Sequence, residues 1–283
     1  MKGVFFKILR YSGLPFLFRE VLQRNKVTIL IMHDITPSAA KQAFLFWKNN
    51  YNLISFNEYR DTRINNKKLL PKSLILTLDD GHKGNYRLLP LLNELHIPVT
   101  IFLCSNIAGT QRHFWFINKD IDIENLKEVT DEERIKILNG SGFTPEKEYP
   151  DRHALSKEEI MDMKSSSFID LQSHTKTHPI LTKCTDDKVM DEIINSKKEL
   201  ENKFHLNING FAYPNGYYGQ RETMMTRKAG YSYALTADAG FNTLTTDLYK
   251  LKRLSVNDSE DINEIIVKSS GVWGILKRAV LRF

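Results

Sequence analysis

Short apolar runs alternate with amphipathic helical stretches along most of the chain. A run of about four to eight apolar or β-branched residues predicts a strand that is covered on both faces. Strands that alternate with helices predict parallel pairing through right-handed crossovers. About seven strands stand in register with helices, so the pattern predicts a closed or nearly closed barrel. The runs lie at residues 27–32, 74–78, 98–103, 168–172, 208–213, 231–236 and 249–256, with a shorter one at 52–56.

Residues 107–155 interrupt this alternation. Their charges are mixed, glycines and prolines punctuate them, and they contain the triplet Phe114-Trp115-Phe116. We predict a partly helical insertion that covers the mouth of the barrel. The aromatic triplet either lines a sugar-binding site or forms the insertion's own small core, and we favour the core.

Basic residues are concentrated at the two ends of the chain. Residues 1–26 carry a net charge of +5 and residues 268–283 carry +4, whereas the whole chain carries +6, so the body between them is acidic. A nucleic-acid groove needs basic residues on the body's own surface, which argues against nucleic acid as a partner. We therefore predict a barrel domain at 27–267 between a basic amphipathic N-terminal segment and a basic amphipathic C-terminal helix.

Both end segments present apolar faces. In the first, Phe5, Ile8 and Leu9 share a helical face. Apolar faces flanked by basic residues are typical of helices in a membrane interface, and a helix packed on the barrel gives the same pattern. The second segment contains no acidic residue, and there we favour the membrane surface as a partner. Its apolar face consists of Val272, Ile275, Leu276, Ala279, Val280 and Phe283.

The chain shows no targeting signal. Lys7 and Arg10 interrupt the first apolar stretch, and no stretch reaches the roughly 20 apolar residues of a membrane span. The two cysteines, Cys104 and Cys184, form no disulfide framework and fit a reducing compartment. We expect a cytoplasmic protein that is peripheral at the inner face of the membrane.

The apolar run at 74–78 ends abruptly in Asp79 and Asp80, followed by Gly81 and His82. Two adjacent carboxylates repel each other, and a divalent cation is the usual means of holding them. An Asp-Gly turn without a metal is the simpler interpretation of this stretch taken alone.

Two histidines four residues apart supply partners for that carboxylate pair. His174 and His178 directly follow the strand predicted at 168–172, and this spacing directs both imidazoles to one point. With Asp80 they complete a set of two histidines and one carboxylate, which leaves open positions for water and substrate.

These residues resemble the motifs of the polysaccharide deacetylases, the carbohydrate esterases that share the chitooligosaccharide-deacetylase homology domain. The resemblance extends from about residue 27 to 256 and is interrupted by the insertion. Three stretches carry it: 77–81 (TLDDG), 174–179 (HTKTHP) and, in weaker form, 211–216 (FAYPNG).

The resemblance implies a distorted (β/α)7 barrel and a divalent metal, commonly Zn²⁺; Co²⁺, Ni²⁺ and Fe²⁺ suit the same ligands. It implies removal of an acetyl group from an N-acetylated sugar. Together with the two basic amphipathic ends and the missing export signal, this favours amino sugars of a surface polysaccharide or a lipid-linked precursor as the substrate. Carried over by position, Asp80, His174 and His178 would bind the metal, and Asp79 would be the general base.

The third motif implies substrate contacts. The backbone N–H of Asn215, at the position of a family tyrosine, would help to hold the oxyanion, and Tyr213 precedes it as a further candidate contact. The motif's usual arginine, which steadies the catalytic aspartate, is replaced by Ala212. The family's fourth motif has no clear counterpart, and 237–239 (ADA) is the nearest stretch.

A general acid must also protonate the departing amine. Many family members carry a Leu-x-His motif near the C-terminus, whereas residues 251–255 (LKRLS) contain no histidine. The first strand instead ends in His33, which resembles the arrangement in the poly-N-acetylglucosamine deacetylases. The first and last strands are neighbours in a closed barrel, so a histidine on the first strand can occupy the same place as one on the last. We predict His33 as the general acid, facing the carboxylates across the mouth; a buried structural histidine is the alternative.

Two other functions remain open at this point. Some family members hydrolyse cyclic amides or ureides, and a pocket closed by the aromatic triplet would favour that reaction. The replacement at Ala212 also makes an inactive metal-holding or glycan-binding remnant conceivable.

Overall fold

Seven parallel strands close into a barrel, and an eighth strand of two residues pairs with the start of one of them. The computed structural model describes residues 2–117, 121–256 and 258–280. All pairings between the named strands in these ranges are parallel. The strands are β1 (Val27–Met32), β2 (Asn52–Leu53), β3 (Ser73–Leu78), β4 (Val99–Leu103), β5 (Ile169–Ser173), β6 (Gly210–Ala212), β7 (Tyr233–Ala239) and β8 (Leu251–Ser255).

The barrel closes at β1, which lies between β3 and β8. In the β1–β3 pair Met32 is opposite Leu78, and in the β1–β8 pair Ile31 is opposite Ser255. The short β2 pairs only with the first two residues of β3, so it does not enter the ring. The predicted (β/α)7 barrel is confirmed, and its first and last strands are neighbours as closure requires.

Strand residues alternate between two apolar layers. Leu30, Met32 and Leu76 pack outward against Phe44 and Trp47 of a covering helix. Residues of the opposite parity fill a second cluster on the inner side of the strands, which includes Ile29, Ile75 and Leu251. Coverage of both faces explains why the strands read as continuous apolar runs in the sequence.

Twelve α-helices occur among the described residues, in addition to short 3₁₀ segments and one π-helical turn at Phe18–Leu22. The segment after β3 is a 3₁₀ segment, Lys83–Leu88, followed by an α-helix. Pro90 has no N–H and is tolerated in the first turn, so the α-helix begins just before it. The helices are α1 (Lys2–Tyr11), α2 (Leu14–Leu17), α3 (Pro37–Asn50), α4 (Phe56–Ile64), α5 (Leu89–Leu95), α6 (Ile123–Glu128), α7 (Asp131–Gly140), α8 (Lys157–Lys164), α9 (Asp186–Phe204), α10 (Gln220–Lys228), α11 (Ile262–Ser269) and α12 (Val272–Val280).

The insertion has its own small core, built around Trp115, Leu126 and Leu138 from its 3₁₀ segment, α6 and α7. Two capping residues start the helices: Asp122 begins α6, and Thr130 forms a capping box with Glu133 at the start of α7. The insertion is thus partly helical, as predicted.

Helix α1 packs on α11 and α12 through Phe6 and Leu9, which contact Val267 and Val272. This packed face differs from the one that the sequence pattern indicated, because Phe5 and Ile8 remain exposed. In α12, Trp273 contacts the ring of Phe6 at 5.4 Å, and Leu276 is half-buried in the same cluster. Of the predicted C-terminal face, Phe283 and the side chains of Ile275, Ala279 and Val280 lie outside the described residues.

Candidate active site

The carboxylate pair lies at the carboxyl end of β3. The Asp79 N–H donates to the Met32 carbonyl at 3.0 Å, so Asp79 still belongs to the sheet. Asp80 and Gly81 then turn the chain sharply, with φ values of +70° and +66°. A Cβ on Gly81 would lie 2.4 Å from the Leu103 Cδ2, so only glycine fits this turn. The sequence therefore separates the two carboxylates, one in the sheet and one in the turn.

The two histidines lie on a tight loop that follows β5. His178 has a left-handed backbone with φ of +59°. The buried carboxylate of Glu192 in α9 accepts hydrogen bonds from the Lys176 N–H at 2.8 Å and the Thr177 N–H at 2.9 Å. The Trp115 indole N–H of the insertion donates to the His178 carbonyl at 2.7 Å. These bonds hold both imidazoles toward β3.

Asp80, His174 and His178 converge on one point. The Asp80 Oδ1 lies 3.5 Å from the His174 Nε2 and 3.3 Å from the His178 Nε2. This oxygen is buried, and no described group hydrogen-bonds to it. A buried carboxylate oxygen without a hydrogen bond, facing two imidazole nitrogens, is the donor set expected of a transition-metal site. The three residues therefore fit the divalent metal that the sequence motifs implied.

Further contacts orient these three side chains. The His174 Nδ1–H donates to the Ala212 carbonyl at 2.8 Å, which leaves Nε2 free of a proton and directed at Asp80. Burial lowers the pKa of His178 to about 4, so this imidazole is neutral, as a metal ligand must be. Burial raises the pKa of Asp80, but the neighbouring His178 and His82 outweigh it and hold that pKa well below the usual range.

His82 is a site residue to which the sequence analysis assigned no role. Its Nε2 lies 3.1 Å from the Asp80 Oδ2, the oxygen that does not face the two histidines. The carboxylate of Asp80 is thus held from behind by an imidazole, a common support for a metal-binding carboxylate. Its position two residues after Asp80, directly past the turn, was the available signal.

Arg253 of β8 is the second residue that the sequence analysis missed. Its guanidinium is buried and binds Asp79 with two parallel hydrogen bonds, at 2.7 Å to Oδ1 and 2.8 Å to Oδ2. Its Nε–H also donates to the Thr236 carbonyl at 2.8 Å. An arginine on β8 therefore steadies the aspartate, the role that the sequence resemblance ascribed to an arginine at the position of Ala212.

The pairing with Arg253 keeps Asp79 ionised. Burial raises the pKa of Asp79, but the Arg253 guanidinium and the nearby imidazoles outweigh it and hold that pKa below the usual range. Because both oxygens of Asp79 already bind Arg253, Asp79 and Asp80 have different partners. One carboxylate is paired with a cation of the protein, and the other faces the two histidines.

A cavity of about 450 Å³ opens over these residues. His33 lines this cavity next to Asp79. The preceding residues, Met32 and Leu78, are opposite each other in the β1–β3 pair, so His33 and Asp79 follow neighbouring strands. The prediction that His33 faces the carboxylates across the mouth is therefore wrong. The Asn85 side-chain amide donates to the His33 carbonyl at 2.7 Å. The structure therefore brings His33, Asp79 and the three converging side chains to one cavity.

Asn215 and Tyr213 have different positions. Asn215 lines the cavity in a left-handed turn, and a Cβ on the following Gly216 would lie 2.2 Å from the Ala237 Cβ. Tyr213 is fully buried, and its hydroxyl donates to the Tyr249 carbonyl at 3.2 Å. Its side chain is not part of the cavity lining, so only the turn at Asn215 reaches the site.

The insertion forms one side of the cavity. Phe116, Ile123 and Lys127 line it, and the Phe116 ring lies 4.8 Å from the His178 ring. The other two members of the aromatic triplet, Phe114 and Trp115, are buried in the insertion's own clusters. Two rings of the triplet are therefore in the core, as favoured from the sequence, and the third lines the cavity.

A family model described as polysaccharide deacetylase matches residues 66–234, more than half of the chain. The chain belongs to the polysaccharide deacetylase family. It is therefore an enzyme of the carbohydrate-esterase type. The carboxylate pair and the two histidines all lie within the matched region of this polysaccharide deacetylase.

Individual relatives are distant. The Bacillus subtilis protein YxkH, itself assigned to the polysaccharide deacetylases, is 24% identical over 242 residues, which cover 82% of this chain and 72% of YxkH. The poly-β-1,6-N-acetyl-D-glucosamine N-deacetylase of Staphylococcus epidermidis is 24% identical over 210 residues, 71% of this chain and 60% of that protein. The deacetylase PplD of Streptococcus pyogenes, solved with acetate, superposes with a TM-score of 0.64 at 18% identity and covers 87% of this chain and 99% of PplD. At this identity the superposition shows the shared barrel fold.

Proposed function

We propose that the protein is a metal-dependent N-deacetylase that removes acetyl groups from amino sugars of a surface polysaccharide or a lipid-linked precursor. The observation that carries the proposal is that the two carboxylates at the end of β3 have different partners: Asp80 faces two histidines, and Asp79 is held by Arg253. Asp80, His174 and His178 would hold the metal, for which Zn²⁺ best matches two imidazoles and one carboxylate. When bound, the metal supplies Lewis-acid chemistry for the amide carbonyl.

The protein's own residues supply the proton transfers. Asp79, kept ionised by Arg253, accepts a proton from the attacking water. As the amide C–N bond breaks, His33 donates a proton to the departing amine nitrogen, so the products are acetate and a free amino sugar. Asn215 lines the cavity, and its backbone N–H would stabilise the charge that develops on the carbonyl oxygen.

Acetate release from a panel of N-acetylated glycans and lipid-linked sugars tests this function. We expect release by the wild-type enzyme with Zn²⁺ or Co²⁺, loss in Asp79→Asn, and loss in His33→Gln with metal binding retained. His96→Gln, which changes an exposed histidine outside the cavity, is the matched control. Undiminished release by Asp79→Asn would contradict the assignment of the base. Ring opening of cyclic amides or ureides without acetate release would replace the proposed reaction.

We also propose that the N-terminal segment places the enzyme on an anionic membrane surface. Nine of the 17 exposed large apolar side chains in the described part of the chain lie between residues 4 and 22, including Phe5, Ile8 and Phe16. Lys2, Lys7 and Arg24 are exposed in the same segment. An exposed apolar patch with basic neighbours matches the interface of a membrane with anionic headgroups. None of the described helices is long and apolar enough to span a membrane.

Sedimentation with lipid vesicles tests this surface. Ile8→Ser combined with Phe16→Ser should weaken binding to vesicles that contain anionic lipid, because both side chains are exposed and neither supports the fold. Ile64→Ser, which changes an equally exposed side chain on α4, should leave binding unchanged. Equal binding by all three proteins, or no wild-type binding, would contradict the proposal. In the cell, such a surface would place the enzyme at the inner face of the membrane beside lipid-linked sugars.

A further inference from the structure

A second group of two histidines and one aspartate lies where the two ends of the insertion meet. His113 comes from the start of the insertion, and Asp151 and His153 come from its end. The His153 Nε2 lies 3.0 Å from the Asp151 Oδ2, and the His113 Nε2 lies 3.4 Å from the Asp151 Oδ1. One potential ligand atom from each residue lies within 4.8 Å of the other two. The two imidazoles thus approach one carboxylate from opposite ends of the insertion.

The surrounding contacts hold this group in place. The His113 ring stacks on Tyr149 with centroids 4.0 Å apart and planes 9° from parallel. The His153 carbonyl accepts a hydrogen bond from the Lys83 N–H at 2.8 Å, which ties it to the loop after β3. The next residue, Ala154, forms an antiparallel bridge with His82. The group therefore has a stacked imidazole at the start of the insertion and an anchored backbone at its end.

The chemistry of the group suits a metal better than a pair of charged histidines. The His113 and His153 ring centroids lie only 4.3 Å apart, so two imidazolium charges would repel each other. Two imidazoles and one carboxylate are a donor set for zinc and the neighbouring transition metals.

We propose that His113, Asp151 and His153 form a second transition-metal site that fastens the two ends of the insertion together. The site is distinct from the cluster at Asp80 and does not depend on the proposed deacetylation. The His113 Nε2 also lies 2.9 Å from the Asp151 carbonyl oxygen. A metal that binds this nitrogen replaces that hydrogen bond, and the displaced proton is released to solvent.

The second site adjoins the catalytic cavity. Phe114, the residue after His113, lies with its ring 5.5 Å from the His82 ring and 5.2 Å from the Phe116 ring. His82 in turn contacts Asp80, and Phe116 lines the cavity. Metal at the second site would therefore steady the side of the cavity that the insertion provides.

Zinc content after equilibrium dialysis at neutral pH, measured by mass spectrometry, tests the site. We expect about two zinc ions per chain in the wild type and about one in His113→Gln/His153→Gln. Asp80→Asn/His174→Gln should also retain about one, at the second site. His205→Asn removes an exposed histidine elsewhere and is the matched control, with both ions expected. Asp151→Asn is a second variant that removes a ligand of the proposed site. It carries little risk to folding, because the Asp151 side chain is 62% exposed.

Two results would overturn the second site. One is a single wild-type ion that Asp80→Asn/His174→Gln removes; the other is retention of both ions in His113→Gln/His153→Gln. A single wild-type ion that only the His113/His153 variant loses would uphold the second site and refute the catalytic one. In the Asp80→Asn/His174→Gln background, zinc should also slow tryptic cleavage within residues 121–148 several-fold, and His113→Gln/His153→Gln should abolish this protection. Cleavage rates independent of zinc would contradict the fastening role.

Discussion

Two sets of two histidines and one aspartate occur in the part of the chain that the structure describes, and they differ in what surrounds them. At the end of β3 and β5, Asp80, His174 and His178 are all at most 5% exposed. At the base of the insertion, the side chains of His113, Asp151 and His153 are 13%, 62% and 28% exposed. The same three residue types are therefore buried beneath a cavity in one case and partly exposed at the protein surface in the other.

The comparison indicates that the residues around such a set determine whether it is suited to catalysis or to a structural role. Two members of the buried set have a side-chain partner, since His174 donates to the Ala212 carbonyl and Asp80 is held by His82. The third, His178, lies on a loop whose backbone is fixed by Glu192. The surface set has one stacking partner and two backbone anchors. Low solvent access strengthens electrostatic interactions, so the buried set is suited to catalysis and the surface set to fastening.

The largest effect is expected from removing the buried set. Asp80→Asn should lower the rate of deacetylation by about 10³-fold or more. Without the Asp80 carboxylate the metal is lost, and with it both the open coordination positions and the stabilisation of charge on the substrate carbonyl. Metal content and acetate release measured on the same preparation check this. Asp151→Asn is the comparison from the surface set and should leave most of the turnover. Equal losses in both variants would remove the distinction between the two sets.

Asp79→Asn should lower turnover by about 10²- to 10⁴-fold, the usual range for loss of a general base. Unlike Asp80→Asn, it should retain the catalytic metal, because both oxygens of Asp79 are bound to Arg253. The Asp79 Oδ2 lies 3.8 Å from the His174 Nε2, farther than the Asp80 Oδ1 at 3.5 Å. Single-turnover kinetics and metal analysis check both parts. Loss of the metal in Asp79→Asn would show that the two carboxylates share one role.

Arg253→Met should destabilise the metal-free protein by about 3–5 kcal/mol, because it leaves the Asp79 carboxylate buried without a cation. Arg253 lowers the pKa of Asp79 in the folded state, so the stabilisation is present above the unfolded aspartate value of about 3.9 and is lost as the pH falls through the folded value. Urea unfolding from neutral to acidic pH measures this. The Asp79→Asn/Arg253→Met double variant is the control, and its stability should depend less on pH. An unchanged pH dependence in Arg253→Met would contradict the pairing.

The smallest effect is expected at His82. His82→Leu removes the contact behind Asp80 and should weaken the affinity for metal at the buried set by about 10- to 100-fold. His82→Gln keeps a donor near the Asp80 Oδ2 and should lose less. Competition with a chromophoric chelator measures both affinities. Equal affinities in the wild type and His82→Leu would show that the buried set needs no such support.

The comparison also separates what was predictable from what was not. The members of the buried set were predicted from the sequence because Asp80 and His174 come at strand ends and His178 lies four residues after His174. The carboxyl ends of parallel strands meet at one rim. The surface set was not predicted, because His113 is 38 residues from Asp151 and lies on irregular backbone. No local pattern indicates which loop residues become neighbours across an insertion of this length.

Arg253 shows the same limit within the buried site. Residues 251–255 contain no histidine, and no local pattern marks the arginine among them as a site residue, because its partner Asp79 lies 174 positions earlier in the chain. Only closure of the barrel through β1 brings β8 close enough to β3 for that contact.

The sequence alone determined the strand and helix order, the seven-stranded barrel and the residues at the strand ends, because burial on two faces and parallel pairing leave local, periodic signatures. The tertiary structure decided the rest. It paired Arg253 with Asp79, placed His33 beside Asp79, buried Phe6 in place of Phe5, and joined the ends of the insertion. These outcomes depend on contacts between residues distant in the chain, which no local periodicity encodes.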